Sequence, residues 1–181
     1  LQGRECGKES TPDGHRRGIK LFEQAVALDP NFARAYAQMA SAWSRLDFLE
    51  HTAPRICRPK SRDAALKALA LDDRLVQAHV ALGSYKAYYE WDWEGAERDY
   101  LKAASLAPND PGPRGSRAFL LSITGRHEEA IRILRDLQRD YPAVMWINNS
   151  LGNCLFFAGR LEEAEREVRK TLAIARNDSM A

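Results

Sequence analysis

Apolar residues recur along this chain at the three- and four-residue spacing that keeps side chains on one face of an α-helix. In one such stretch Leu161, Ala164 and Val168 are apolar, and charged residues fill most positions between them. β-Branched residues are scattered and never alternate with polar ones over a useful length, so no strand is predicted. The pattern predicts an all-α protein with helices at about Gly14–Leu28, Asn31–Phe48, Lys60–Leu71, Leu75–Tyr89, Trp93–Leu106, Gly112–Thr124, His127–Arg139, Val144–Phe157 and Leu161–Ala175.

The sequence also repeats itself at a fixed spacing. Gly125–Ala130 reads Gly-Arg-His-Glu-Glu-Ala, and Gly159–Ala164 reads Gly-Arg-Leu-Glu-Glu-Ala. Pro108 and Pro142 keep the same spacing, and each follows an amphipathic stretch. A period of about 34 residues indicates one helical unit stacked on copies of itself. Function is then expected on the surface of the stack rather than in a catalytic pocket.

One interval between related segments is longer than the period. Ala25–Pro30 and Ala68–Asp73 carry similar motifs but lie further apart than one repeat. The segment 49–59 contains two helix-breaking prolines and no clean apolar period, so a loop insertion is predicted there. The predicted units of a single array are therefore about 1–32, 33–75 with this insertion, 76–110, 111–144 and 145–178.

These residues resemble the tetratricopeptide repeat, a helix-turn-helix unit of this length. The family pattern places a small residue midway along each first helix, here Ala40, Gly83, Ala118 and Gly152. Early in each second helix it places another small residue, here Gly18, Ser61, Ala96, Ala130 and Ala164, and four residues later a bulky one, here Phe22, Tyr100, Leu134 and Val168. Small side chains suit helices that pack closely. The resemblance implies a right-handed superhelix of about four and a half helix pairs, with the first helices lining a concave groove.

A narrower resemblance concerns the protein from which the chain comes. The segments 22–36 and 88–96, with the proline-bearing insertion, are similar to the repeat arrays that follow bacterial nucleotide cyclases and winged-helix regulators. This implies a regulatory or sensory module whose catalytic or DNA-binding chemistry belongs to another domain. The chain begins at Leu1 without a methionine and ends without a polar capping element. We therefore expect a fragment of a longer bacterial protein.

Charge and cysteine content narrow the function classes. The chain has 27 basic and 25 acidic side chains, a formal charge of +2, so broad binding to nucleic acid or to an anionic membrane is not expected. No apolar run approaches the roughly 18 residues of a membrane-spanning helix. Cys6, Cys57 and Cys154 are odd in number and far apart, which is typical of reduced thiols in a cytoplasmic protein.

The predicted helix Val144–Phe157 has two distinct faces at a step of ~100° per residue. The face expected to pack on neighbouring helices holds Asn148, Leu151, Gly152 and Leu155. The second stripe, which is the leading predicted partner-binding groove, holds Trp146, Asn149, Asn153, Phe156 and Phe157. Equivalent positions on the other first helices are Arg34, Ala37, Ser41, Ser44 and Arg45, then Gln77, Val80, Ser84, Ala87 and Tyr88, then Gly112, Gly115, Phe119, Ser122 and Ile123.

The residue types in this stripe suit an extended peptide. An asparagine amide offers both donors and an acceptor to a peptide backbone, and aromatic rings supply apolar anchors. We favour groove exposure for Asn149 and Asn153, because buried amides need every hydrogen bond satisfied. For Trp146 and Phe157, packing on the preceding repeat is an equal alternative. Ala37 and Gly112 stand where a carboxylate clamp for chaperone carboxyl termini needs cationic donors, so no such clamp is expected.

Other candidate sites are weaker. No nucleophile, base and orienting group form a set, so no catalytic residue is assigned. The histidines are too dispersed for a metal site, no cofactor is expected, and His79 is predicted to be a buried neutral ring at a packing position. Trp91 and Trp93 are predicted to buttress a turn with Asp92 as a helix cap, a partner-facing patch being the alternative.

The sequence thus predicts a non-enzymatic scaffold that binds an extended segment of a protein partner in its groove. The first alternative is self-association through exposed array ends, which would make the chain a dimerisation module. A second alternative, RNA binding by helical repeats, requires a cationic groove. Asn149, Ser84 and Phe119 do not provide one.

Overall fold

The computed structural model describes residues 11–50 and 54–178, and the side chains of residues 11–49 and 55–172. These residues form helices and short turns and no strand, which confirms the all-α prediction. The predictions for Leu1, Cys6 and His51 fall outside them. The helices are α1 Pro12–Leu28, α2 Ala33–Glu50, α3 Pro54–Leu71, α4 Val76–Tyr85, α5 Trp93–Leu106, α6 Pro111–Ile123, α7 His127–Asp140, α8 Met145–Phe157 and α9 Leu161–Asp178, with a π-helical segment Lys86–Glu90 after α4.

The helices fall into two compact units, Leu1–Pro108 and Asn109–Ala181. In the first unit each helix from α1 to α5 packs on the next. In the second unit the same holds from α6 to α9. The first helices of successive pairs also contact each other, α2 with α4 and α6 with α8. Each unit therefore has one face built from neighbouring first helices.

Small residues stand where paired helices approach most closely, as the repeat pattern predicts. A Cβ added at Gly83 on α4 would lie 2.8 Å from Tyr100 Cε1 and 3.2 Å from the carbonyl oxygen of Ala96. A Cβ added at Gly152 on α8 would lie 3.5 Å from Val168 Cγ2. In both units the bulky residue of the second helix occupies the space that the small residue leaves.

The two units have cores of different composition. Fully burying a leucine or isoleucine contributes about 1.5–3 kcal/mol, and an alanine methyl much less, so the second unit depends on larger individual contributions. Its cluster includes Ala118, Leu121, Ala130, Ile131, Leu134, Leu137, Ile147, Leu151, Cys154, Leu155 and Ala164. In the first unit the main cluster is rich in alanine: Ala37, Ala40, Ala64, Ala65, Ala68, Leu75, Ala78, Ala81 and Leu82.

The predicted loop insertion at 49–59 is wrong for most of its length. Helix α2 continues to Glu50 and helix α3 already begins at Pro54. Proline is tolerated at the first helical position because the amide hydrogen there has no partner within the helix. Pro59 lies inside α3, where proline normally disrupts a helix. Burial of Cys57 against α1 and α2 anchors this first part of α3.

Helix α4 is shorter than predicted because its last turn changes type. One helix was predicted over Leu75–Tyr89, but the structure has α4 followed by the π-helical segment. Trp91, the residue after that segment, has a left-handed φ of 58°. Asp92 then begins α5: its Oδ1 accepts a hydrogen bond from the amide of Gly95 at 2.8 Å. The predicted capping role of Asp92 is therefore confirmed.

His79 on α4 is largely buried at the contact with α5, as the packing prediction requires, and its ring is also hydrogen-bonded on both sides. Its Nδ1 lies 3.1 Å from Asp99 Oδ1, and its Nε2 lies 2.9 Å from the carbonyl oxygen of Asp73. The hydrogen bond to Asp99 raises the pKa of His79 above its ordinary value, although burial opposes the shift. Lys86 Nζ lies 2.6 Å from the other oxygen of Asp99, so one carboxylate contacts both His79 and Lys86.

This arrangement gives stability a defined pH dependence. A histidine whose pKa is raised by folding contributes stability that is fully present below its unfolded pKa of 6.5 and is lost as pH rises through the folded value. We expect His79→Gln to remove part of the decrease in the free energy of unfolding between about pH 5 and pH 8. Urea denaturation at both pH values, followed by circular dichroism, measures the difference.

His15 supplies a control of opposite sign. Burial in the first place, and Arg45 in the second, lower the pKa of His15, so its contribution is present above 6.5 and is lost as pH falls through the lowered folded value. His15→Gln should therefore remove a loss of stability at low pH. Equal pH profiles for wild type and His79→Gln would contradict the assignment of His79.

Candidate functional site

The predicted packing face of α8 is buried in the second unit. Leu151 and Leu155 are in the core, and Gly152 lies against α9. Asn148 is also buried, and its Oδ1 accepts a hydrogen bond of 2.8 Å from Gln138 Nε2. A buried amide with a satisfied acceptor is structural, so the opposite side of α8 is the one that can meet a partner.

That opposite side is open to solvent in the second unit. Asn149 and Asn153 are exposed one helical turn apart, and Phe156 is exposed beyond them. On the neighbouring helix α6 the equivalent stripe presents Phe119 and Ile123, which are also exposed. We name this surface the amide stripe, comprising Phe119, Ile123, Trp146, Asn149, Asn153, Phe156 and Phe157.

Trp146 packs on the preceding repeat and is also partly exposed, so each of the two alternatives predicted for it holds in part. Its ring lies on the backbone of α6, because a Cβ added at Gly115 would be 2.5 Å from Trp146 Cη2. The residue nevertheless keeps 40% of its surface exposed. Gly115 therefore provides the space in which the indole ring rests between α6 and α8, with one part of the ring in the contact and the rest in solvent.

The two phenylalanines at the end of α8 contact each other. Their ring centroids are 5.7 Å apart with an interplanar angle of 73°, an edge-to-face arrangement that aromatic pairs favour. Both rings remain exposed, Phe157 more than Phe156. The amide stripe thus has an aromatic group near each end, with Asn149 and Asn153 between them.

In the first unit the equivalent positions divide into two groups. Arg34, Arg45 and Gln77 lie at least partly exposed, and Ser41 is half-buried. Ser84 and Tyr88 instead turn toward α5: Ser84 Oγ lies 3.1 Å from the Tyr100 hydroxyl, and Tyr88 shares a side-chain hydrogen bond with Tyr100. Burial raises the pKa of Tyr88, and its contact with Tyr100 adds to the effect. The hydroxyls of Ser84 and Tyr88 therefore take part in the packing of α4 and the π-helical segment on α5.

A small open pocket lies in the first unit beside Ser84 and Tyr88. Its polar centre is the pair of Arg58 Nε and Asp47 Oδ2, 2.9 Å apart. Asp47 Oδ1 is buried without a hydrogen-bond partner among the described residues. The sequence analysis missed this pair because Arg58 lies within the segment 49–59 that was expected to be a loop, and Asp47 lies just before it. The lining residues are Ser44, Asp47, Arg58, Ser61, Ala81, Ser84, Tyr85, Tyr88 and Tyr89.

The groups with potential for covalent or metal chemistry serve structural roles where they are described. Burial raises the pKa of the Cys154 thiol, which disfavours the nucleophilic thiolate. Cys154 Sγ lies 3.7 Å from the carbonyl oxygen of His127, within the core of the second unit. Among the described residues, no three His, Cys, Asp or Glu side chains are grouped so that they could hold a metal ion.

Within residues 11–50 and 54–178, no helix combines the length and the apolar character needed to cross a bilayer.

Part of the chain matches a known sequence family. Residues 124–181 match the family model described as Tetratricopeptide repeat. Among curated proteins, the small glutamine-rich tetratricopeptide repeat-containing protein 2 of Mycosarcoma maydis is 32% identical over 89 residues. That alignment covers 49% of this chain and 25% of the relative, so the chain spans about a quarter of that protein's length.

Solved structures match nearly the whole chain at low sequence identity. TTC0263, a thermophilic TPR protein of Thermus thermophilus, has a TM-score of 0.79 at 18% identity, covering 97% of this chain and 90% of that one. MamA from Desulfovibrio magneticus RS-1 has a TM-score of 0.68 at 14% identity, with 97% and 92% covered. YrrB, described as a TPR protein with an unusual peptide-binding site, has a TM-score of 0.60 at 18% identity, with 93% and 82% covered.

The fold is therefore that of all-α tetratricopeptide repeat proteins. Residues 124–181 match the family by sequence, and the solved structures show that nearly the whole chain shares the fold. This class is one of interaction scaffolds, in which helix pairs form a framework and partners bind on its surface.

Proposed function

We propose that this chain is a protein-interaction scaffold that binds an extended segment of a partner on the amide stripe. The observation that carries the proposal is the division of α8 into two faces. Its buried face satisfies Asn148 internally, whereas its open face presents Asn149 and Asn153 between exposed aromatic rings. Two amides one helical turn apart can donate to and accept from successive groups of an extended backbone.

The aromatic ends of the stripe would supply the apolar part of the binding energy. Trp146 is held in place by the backbone of α6, so ordering it on binding costs less conformational entropy than ordering a mobile ring. Tryptophan is enriched among residues that dominate interface energies. YrrB, described as having a peptide-binding site, shares the fold and supports a peptide as the class of ligand. We further propose a regulatory module of a larger bacterial protein as the setting.

Self-association is the second candidate function, and one observation favours it. Leu161, Val168 and Leu172 are exposed along α9 and give it an apolar open face. A second copy could cover this face. Light scattering across a range of concentrations separates the candidates, because a strictly monomeric chain removes self-association and leaves the amide stripe unaffected.

A double substitution tests the amide stripe. We expect Asn149→Ala with Asn153→Ala to weaken retention of a protein partner in pull-downs about five- to 150-fold, since each lost amide contact contributes about 0.5–1.5 kcal/mol. The measurement is the amount of each captured protein, quantified by mass spectrometry for wild-type and variant bait. A partner whose binding depends on the stripe should fall selectively.

The matched control removes two asparagines elsewhere. Asn31 and Asn109 are exposed in the turns before α2 and α6, so Asn31→Ala with Asn109→Ala changes composition equally without touching the stripe. Partners retained equally by wild type and by both double variants would reject the assignment of Asn149 and Asn153.

A further inference from the structure

Three equivalent positions of the repeat have a positive φ, although the residues differ. Gly125 and Gly159, which follow α6 and α8, have positive φ values of 81° and 75°. Trp91 lies one repeat period before Gly125, so it occupies the same repeat position, and its φ is 58°. It is the non-glycine residue with positive φ in the described part of the chain.

Tryptophan is poorly suited to that turn. Glycine enters the left-handed region without penalty, whereas a residue with a Cβ is strained there by roughly 1–2 kcal/mol. Burial does not offset this strain, because Trp91 is 70% exposed. A positive φ at this position therefore does not account for the indole ring, since Gly125 and Gly159 adopt one without it.

The ring of Trp91 belongs to an aromatic surface on the first unit. Trp91 and Trp93 meet edge to face, with centroids 6.4 Å apart and an interplanar angle of 74°. Trp93 and Tyr89 are also exposed. The π-helical segment that ends at Glu90 precedes this turn, and such segments occur frequently at functional sites. We name residues 89–94 the tryptophan turn.

Carboxylates alternate with the rings in this turn. Glu90 is exposed, and the side chain of Glu94 is 94% exposed, with Arg98 3.9 Å away. Asp92 is occupied as the cap of α5. The exposed carboxylates therefore give the aromatic surface a negative rim on a chain whose net charge is +2.

Nearby rings of the first unit already carry cations from the chain itself. Lys60 Nζ lies 4.5 Å from the ring centroid of Trp43, Arg62 lies over Tyr85 at 5.3 Å, and Arg58 lies over Tyr89 at 5.9 Å. No such contact is found for Trp91 or Trp93 among the described residues. Tryptophan faces bind cations better than those of other aromatic residues.

We propose that the tryptophan turn is a docking site for an arginine-bearing segment of a partner protein. A guanidinium group stacks on one exposed indole face of the Trp91–Trp93 pair, and the carboxylates of Glu90 and Glu94 complement its charge. Arginine fits better than lysine because its planar group can stack on a ring and donate to a carboxylate together. This site uses a different unit and a different ligand chemistry from the amide stripe, so either can fail alone.

The test uses a short fluorescein-labelled peptide in which arginine alternates with glycine, and measures its binding by fluorescence anisotropy. Trp91→Gly removes the ring and supplies the residue that the other repeats use in this turn. We expect it to weaken peptide binding about fivefold or more while raising the midpoint of thermal unfolding. A ring that served only the fold would give the reverse result, a lower midpoint with unchanged binding, and would overturn the proposal.

Matched variants separate this site from general charge attraction. Glu90→Gln with Glu94→Gln should weaken the peptide, whereas Glu162→Gln with Glu165→Gln, which neutralises two exposed carboxylates of α9, should not. Phe32→Ala, which removes an exposed ring from another turn of the first unit, should leave binding unchanged. Equal binding of a peptide with glutamate in place of arginine, or a dimer that Trp91→Gly abolishes, would also overturn the proposal.

Discussion

Replacing Tyr100 with alanine is expected to lower the free energy of unfolding by about 3–5 kcal/mol, the range for removing a large aromatic side chain from a core. Tyr100 is 0% exposed and packs over Gly83 at the close contact between α4 and α5. Gly83 has no side chain with which to fill the cavity. Urea denaturation followed by circular dichroism and by tryptophan fluorescence measures the loss.

Tyr100→Phe is the matched variant, because it keeps the ring and removes the hydroxyl. The hydroxyl contacts Ser84 Oγ at 3.1 Å and shares a hydrogen bond with Tyr88. Its removal is expected to cost about 1 kcal/mol, the usual net contribution of a hydrogen bond. If the phenylalanine variant were as unstable as the alanine variant, the hydroxyl network rather than ring packing would hold α4 to α5.

Much of the framework could be predicted from the sequence because it depends on local rules that repeat. The regular period fixes where small residues recur, and Gly83 and Gly152 lie at close contacts in the structure. Helix starts follow from side-chain chemistry, as with Asp92. These features need only the neighbouring residues in the chain and one packing partner, and the repeat supplies both.

The features that sequence analysis missed depend on tertiary contacts. Pro59 suggests a helix break, yet helix α3 continues through Pro59. Its first part is held by Cys57, which is buried against α1 and α2. In the π-helical segment each backbone hydrogen bond spans one more residue than in an α-helix. Positions there therefore do not follow the ~100° step that was used to place Tyr88 in the groove. The raised pKa of His79 likewise depends on Asp99, which belongs to the next helix.

The part of the candidate site that lies on a single helix could be predicted from the sequence. On α8 regular helical geometry separates the buried Asn148 from the exposed Asn149, and the structure agrees with that division. Whether these amides bind a partner remains a proposal, because repeat geometry places side chains without identifying a ligand. The strain at Trp91 was not visible either, since it requires a backbone angle as well as alignment with Gly125 and Gly159.

Two residues at the same repeat position differ in burial, and this difference can be tested by mutation. Leu134 on α7 and Val168 on α9 are one repeat period apart, and both follow the small residue of a second helix. Leu134 is 1% exposed because α7 packs on both α6 and α8, whereas Val168 is 47% exposed on α9, which packs on α8. The same repeat position therefore buries very different amounts of apolar surface.

We expect Leu134→Ala to lower the free energy of unfolding by about 2–5 kcal/mol and Val168→Ala by about 1 kcal/mol or less. The first leaves a cavity in a leucine-rich core, whereas solvent fills the space left by the second. Urea denaturation of both variants beside wild type gives the comparison. Equal losses would mean that Val168 is covered in solution, as self-association through α9 requires, and repeating the measurement at several protein concentrations would then identify a second copy as the cover.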